Sequence, residues 1–150
     1  MSYTENLRKK VGSEPLLLVQ TAVVVLDRRI GILFYKREDG KWQLPGGFME
    51  PEETVEQAGR RKVKEIANFE VREISLLGIF SGKEYFQELE NGDQVYPLTI
   101  NFLTIDFKRI ERQDDEKETA NAKFFPLDKL PDNISETSRK VIDHYGASFF

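Results

Sequence analysis

The residues most able to do chemistry together lie between Leu44 and Glu70, in the run LPGGFMEPEETVEQAGRRKVKEIANFE. A Pro45-Gly46-Gly47 turn is followed by the carboxylates Glu50, Glu52 and Glu53, and then by Arg61, Lys62 and Glu65. Thr54 with Gln57 three residues on is a capping-box pattern, which predicts a helix starting there. No proline interrupts that helix, and Asn68 is a reasonable left-handed cap just past its end. The stretch therefore reads as a strand ending in a glycine turn, an acidic loop and a helix. Such an arrangement brings backbone amides and carboxylates around a metal-bound phosphate.

This stretch resembles the Nudix box of the Nudix (MutT-like) hydrolases. That pattern is Gly, five residues, Glu, seven residues, Arg-Glu, an aliphatic, any residue, Glu-Glu, any residue, Gly and an aliphatic. Gly47, Glu53, Arg61, Val63, Glu65 and Phe69 match it without a gap, and the LPGG lead-in is similar too. Lys62 and Ile66 stand where the family has glutamates, and Asn68 where it has glycine. The last change is mild, because Asn tolerates positive φ. The other two matter more. Positions 62, 65 and 66 share one helix face, and in the family that face carries three glutamates that hold Mg²⁺ or Mn²⁺ against a substrate diphosphate. An ammonium repels a divalent cation and an isoleucine cannot ligate one, so metal affinity is expected to fall.

The resemblance implies an α/β/α sandwich around a mixed β-sheet. It also implies hydrolysis of a nucleoside diphosphate linked to another group, with Mg²⁺ or Mn²⁺ as cofactor. Carried over residue by residue, Glu65 is a metal ligand, Glu53 supports the site or the metal, and Arg61 braces the loop against Glu53. The backbone of Gly46 and Gly47 helps hold metal or phosphate. Family members commonly add a glutamate from a loop before the last strand, a part open to Glu116 or Glu118. Glu50 or Glu52 is a substitute for a missing ligand. Because two box glutamates are replaced, the expected activity is weakened or lost. The alternative is a non-catalytic binder or sensor of a phosphorylated nucleotide-like ligand, with Lys62 meeting phosphate directly. A third reading is a former enzyme whose helix persists for stability. The run FSGKEYFQELENGDQVY is similar to a group of bacterial Nudix proteins, without pointing to a substrate.

At 150 residues the chain reads as one domain, residues 1–150, with a short N-terminal helix at 3–12 and the box at 47–69. A net charge of −4 argues against nucleic acid as the main partner but suits a small phosphorylated ligand. The absence of cysteine excludes disulfides and thiolate zinc sites, and the single histidine, His144, excludes a multi-histidine metal site. The N-terminus lacks the apolar core of a secretory signal and no run reaches transmembrane length, so a cytoplasmic protein without a membrane partner is expected. Oligomerisation is left open.

The remaining elements follow from periodicity and turn signals. Tyr3 to Val11 reads as a helix with Thr4 as cap and Gly12 as stop. Leu16 to Asp27 reads as a strand buried on both faces, Gly31 to Glu38 as its hairpin partner, and KWQLPGG as one third strand. Phe69 to Gly82 is a long strand with a bulge near Leu76-Leu77. Asn91-Gly92 marks a hairpin, AKFFPLDKLP a last strand, and Asn133 or Ser135 caps a terminal helix with Val141, Ile142 and Tyr145 on its apolar face. The order is α+β and mixed. Trp42 and His144 read as packing residues, and of Lys36 and Arg37 at most one faces a phosphate.

Overall fold

The computed structural model describes residues 2–89, 91–110 and 121–149. Its frame is the apolar run Leu16–Asp27, strand β1, whose residues Val23 to Leu26 are wholly buried. The other strands are β2 (Gly31–Lys36), β3 (Trp42–Gln43), β4 (Gly46–Phe48), β5 (Phe69–Phe80), β6 (Gln87–Glu88), β7 (Gln94–Arg109) and β8 (Ala122–Phe125). They form one eight-stranded sheet with the main order β3-β2-β1-β7-β5. β1 and β7 run parallel from Leu16↔Val95 to Val25↔Thr104, whereas the other pairings between strands are antiparallel. The sheet is therefore mixed.

Alternation along β1 divides the core in two. Val23 and Val25 point toward helix α2 (Val55–Ala67) and pack with Val63, Ala67, Ile100 and Phe102. Val24 and Leu26 point the other way, joining Phe34, Leu44, Phe80 and Val141 under helix α3 (Glu136–Tyr145). A helix on each face of the sheet makes the α/β/α sandwich. Two glycines let the helices come close. A Cβ on Gly59 of α2 would lie 3.3 Å from both Val23 and Ile74, and one on Gly78 of β5 would meet the Tyr145 hydroxyl at 2.1 Å.

Helix α1 (Tyr3–Val11) forms as expected and stops at Gly12 (φ 67°), but its cap is Ser2, not Thr4. The Ser2 hydroxyl accepts the Glu5 N–H, the usual cap-to-N3 reach. The KWQLPGG stretch is two strands with different partners, because the chain leaves β2 at Leu44-Pro45 and rejoins the sheet against β1. β5 carries the expected irregularity between Leu76 and Gly78, with two more nearer its start. Ser135 caps α3. Trp42 packs edge-on to Phe125, and the His144 ring packs edge-on to Phe80 and Tyr145. No helix among the described residues is long and apolar enough to cross a membrane.

Candidate functional site

The glycine turn is built by the close approach of β4 to β1. Thr21 pairs with Gly47 and Ala22 with Gly46. A Cβ on Gly46 would fall 2.0 Å from the Thr21 carbonyl oxygen, so only glycine fits. The flanking bonds run from Val23 N–H to the Pro45 carbonyl (2.8 Å) and from Met49 N–H to the Val19 carbonyl (3.0 Å). Every second residue of β4 thus faces β1, and Gly46 and Phe48 turn their backbone groups to its free edge. On the other side, the buried Leu44 N–H donates to Ser138 Oγ of α3 at 3.0 Å. The turn is pinned by its pairing with β1 and by this bond to α3.

Arg61 organises the acidic loop. Its Nε donates to Glu53 Oε2 (2.9 Å) and its Nη2 to Glu53 Oε1 (2.7 Å), a two-pronged grip. Nη2 also reaches the outward Phe48 carbonyl (3.2 Å), and Nη1 donates to Glu65 Oε1 (3.1 Å). Glu53 Oε1 further accepts the Glu50 N–H at 2.8 Å. The bonds from Arg61 hold the Glu53 carboxyl below the ordinary carboxylate range, with help from the Glu50 amide and against the effect of burial. In turn, the bond to Glu53 pushes the Arg61 guanidinium still higher. Strand, loop and helix are tied together through this one side chain.

The helix that carries Arg61 is set by its ends. Thr54 Oγ1 accepts the Gln57 N–H and Gln57 Oε1 accepts the Thr54 N–H, completing the capping box. Asn68 closes the helix in the left-handed conformation (φ 58°, ψ 38°) and its side-chain amide donates to the Ile110 carbonyl. Between these ends, Lys62 bends over the glycine turn. Its Cε, Nζ and Cδ lie 2.6, 3.1 and 3.2 Å from the point a Gly47 Cβ would occupy. Lys62 Nζ is 3.4 Å from Glu65 Oε2. Ile66 is half-buried against the core under α2, alongside Val55, so its place on the shared face is also a packing position.

A model of the NUDIX domain matches residues 16–145. The chain belongs to the Nudix family. It is 32% identical over 126 residues to a Methanocaldococcus jannaschii protein named ADP-ribose pyrophosphatase, covering 81% of this chain and 69% of that one. It is 30% identical over 109 residues to a Bacillus subtilis protein named as a candidate 8-oxo-dGTP diphosphatase, covering 71% of this chain and 61% of that protein. Among solved structures, a MutT Nudix hydrolase from Burkholderia pseudomallei matches with a TM-score of 0.67 at 23% identity, over 85% of this chain and 97% of that chain. That likeness shows the fold.

Nudix hydrolases generally use a divalent cation, and the donor set here fits one poorly. Both Glu53 oxygens are engaged by Arg61, and the Glu65 oxygens lie one on Arg61 and one near Lys62. Among the described residues no three carboxylate, histidine or cysteine groups converge. A hard cation needs several oxygens whose charge is not already cancelled. Glu50 Oε2 accepts the Tyr3 N–H of α1 at 3.1 Å, and Glu52 is exposed on the loop. Glu116 and Glu118 lie outside the described residues.

The fold thus brings Gly46, Gly47, Glu53, Arg61, Lys62 and Glu65 of this Nudix domain together. It also builds a cleft of about 100 Å³ whose lining includes Gln20, Arg37, Gln43, Gly47, Gln87 and Thr137. The cleft shares Arg37, Gln87 and Thr137 with a wider groove of about 680 Å³ bounded by Phe86 and the start of α3. Arg37 donates to Gln43 at 3.0 Å, and Gln20 donates to Thr99 at 2.8 Å. These amides come from separate segments, so no local spacing could have announced them. Of the residues named in this cleft, Gly47 and Arg37 were within reach of sequence reasoning.

Proposed function

We propose that this protein handles a nucleoside diphosphate linked to a second group, as a Nudix hydrolase whose metal-dependent turnover is weakened or lost. The observation that carries the reading is an intact box frame around a spent carboxylate. Arg61 braces the loop as the family resemblance implies, yet Glu65 has a cation beside each of its oxygens. The names of the two relatives, a pyrophosphatase of ADP-ribose and a candidate diphosphatase of 8-oxo-dGTP, support this substrate class. The cleft beside Gly47 supports it too, since Gln20, Gln43 and Gln87 offer both donors and acceptors to a base or sugar.

In such a hydrolysis, water oxygen bonds to one phosphorus, the phosphoanhydride bond breaks with its electron pair leaving on the second phosphate, and two phosphomonoesters and a proton result. The described residues contribute positioning: the glycine turn admits the phosphates, Arg61 keeps loop and helix in register, and the amide-lined cleft orients the rest of the ligand. Binding without hydrolysis is the second reading, favoured by the Lys62 ammonium lying over Gly47.

The test is chromatographic detection of the two phosphomonoester products from a panel of nucleoside diphosphate derivatives with Mg²⁺, with Mn²⁺ and with chelator. Metal-dependent turnover that is slow and abolished by Glu65→Gln supports a site working with fewer carboxylates. Silence accompanied by thermal stabilisation from one panel member supports the binder. Silence with no stabilisation by any member overturns the proposal.

A further inference from the structure

Within that reading of the site, on which the inference rests, we infer that Lys62 is a tethered cation. Its ammonium takes the ligand's diphosphate without a metal ion, and Glu65 occupies the ammonium until the ligand arrives.

The first support is the lie of the side chain. An exposed helical lysine normally extends into water, but Lys62 folds inward and only 26% of its side chain is accessible. Its last atoms rest where a Gly47 side chain would be, so the missing Cβ makes room for the ammonium. The second support is the looseness of its partner. The 3.4 Å separation from Glu65 Oε2 is long beside the usual 2.7–2.9 Å of a charge-assisted hydrogen bond. Glu65 is itself half exposed, so it can swing away at little cost.

A third observation comes from the strand paired with the glycine turn. Directly paired residues of two antiparallel strands project to the same face. The Thr21 side chain therefore shares the face of Gly47 on which Lys62 lies. Thr21 is 3% exposed and its hydroxyl has no hydrogen-bond partner. A buried hydroxyl left unpaired is costly unless something else completes it, and a phosphate oxygen held by Lys62 would do so. A diphosphate carries at least twice the charge of the Glu65 carboxylate and competes well for one ammonium.

The probe is inorganic pyrophosphate, titrated calorimetrically in chelator and again with Mg²⁺. Binding is expected in chelator. Lys62→Met is expected to weaken it by about tenfold or more, whereas Lys62→Arg keeps most of it. Glu65→Gln is expected to tighten metal-free binding several-fold, the opposite of what removing a metal ligand would do. Unfolding midpoints of the variants check that each is folded.

Pyrophosphate that binds only with Mg²⁺, or not at all, overturns the inference. So does a folded Lys62→Met protein with unchanged affinity, or a Glu65→Gln protein that binds more weakly. If pyrophosphate fails in chelator while a nucleoside diphosphate derivative is turned over with Mg²⁺, the inference falls and the wider functional reading stands. If no panel member is bound or cleaved in either condition, both fall.

Discussion

Arg61 holds Glu53 by two bonds, Nε to Oε2 at 2.9 Å and Nη2 to Oε1 at 2.7 Å. The pair spans the acidic loop and the helix, and the same guanidinium reaches the Phe48 carbonyl of β4 and Glu65. Lysine carries the charge but not the fork. Arg61→Lys should therefore lower stability by about 1–2 kcal/mol, a range discounted for the partial exposure of the pair. Chemical denaturation would read the change. A variant as stable as the parent would mean the fork does not brace the loop.

The same grip has a pH signature. Arg61 holds the folded-state pKa of Glu53 below its ordinary value, so the unfolded chain takes up this proton at higher pH than the folded one. The stability it contributes is complete above the unfolded carboxylate value of about 4.3 and is lost as pH falls through the depressed folded value. Glu53→Gln should be less stable at neutral pH, and its deficit should shrink below about pH 4. Parallel melting curves from pH 7 to pH 3 test this. A deficit constant across that range would remove the Glu53 charge from the account.

Restoring carboxylates at the two replaced box positions asks whether the metal face alone has changed. Lys62→Glu with Ile66→Glu would gather three glutamates at positions 62, 65 and 66. Without metal the double variant should be less stable, by about 1–2 kcal/mol for the lost burial of Ile66, with repulsion among like charges added. Mg²⁺ should recover part of that loss and raise the yield of phosphomonoester products from the same panel of nucleoside diphosphate derivatives. A folded double variant indifferent to Mg²⁺ would show that more than the metal face has drifted.

What the sequence disclosed and what it withheld divide along a physical line. Features fixed by local chemistry were legible. The Thr54–Gln57 capping box, the left-handed Asn68 and the hairpin turn at Asn91-Gly92 depend on residues only a few positions apart. The identity of the α1 cap was misplaced because Ser2 and Thr4 both carry a capping hydroxyl, and the choice rests on where the chain enters the helix. The division of KWQLPGG into β3 and β4 was hidden because it is a choice between two partner strands. The cleft was hidden for the same reason, since Gln20, Gln43, Gln87 and Thr137 meet only after the sheet and α3 have packed. The inward lie of Lys62 needs the fold as well, because it depends on the glycine that β4 sets beneath it.

Adjacent glycines in the turn should respond differently to the same added methyl group. At Gly46 a Cβ would meet backbone, 2.0 Å from the Thr21 carbonyl oxygen and 2.9 Å from its carbon, and backbone in a paired strand cannot step aside. Gly46→Ala should cost about 3 kcal/mol or more and loosen β4 from β1. At Gly47 the first atoms met belong to the flexible end of Lys62, so the lysine can move away instead. Gly47→Ala should cost less, on the order of 1–2 kcal/mol. It should nevertheless weaken metal-free pyrophosphate binding, because the displaced ammonium no longer lies over the turn. Denaturation and pyrophosphate titration on both variants separate the two effects. A Gly47→Ala protein that binds as well as the parent would mean that the ammonium does not need to rest in the space the glycine leaves.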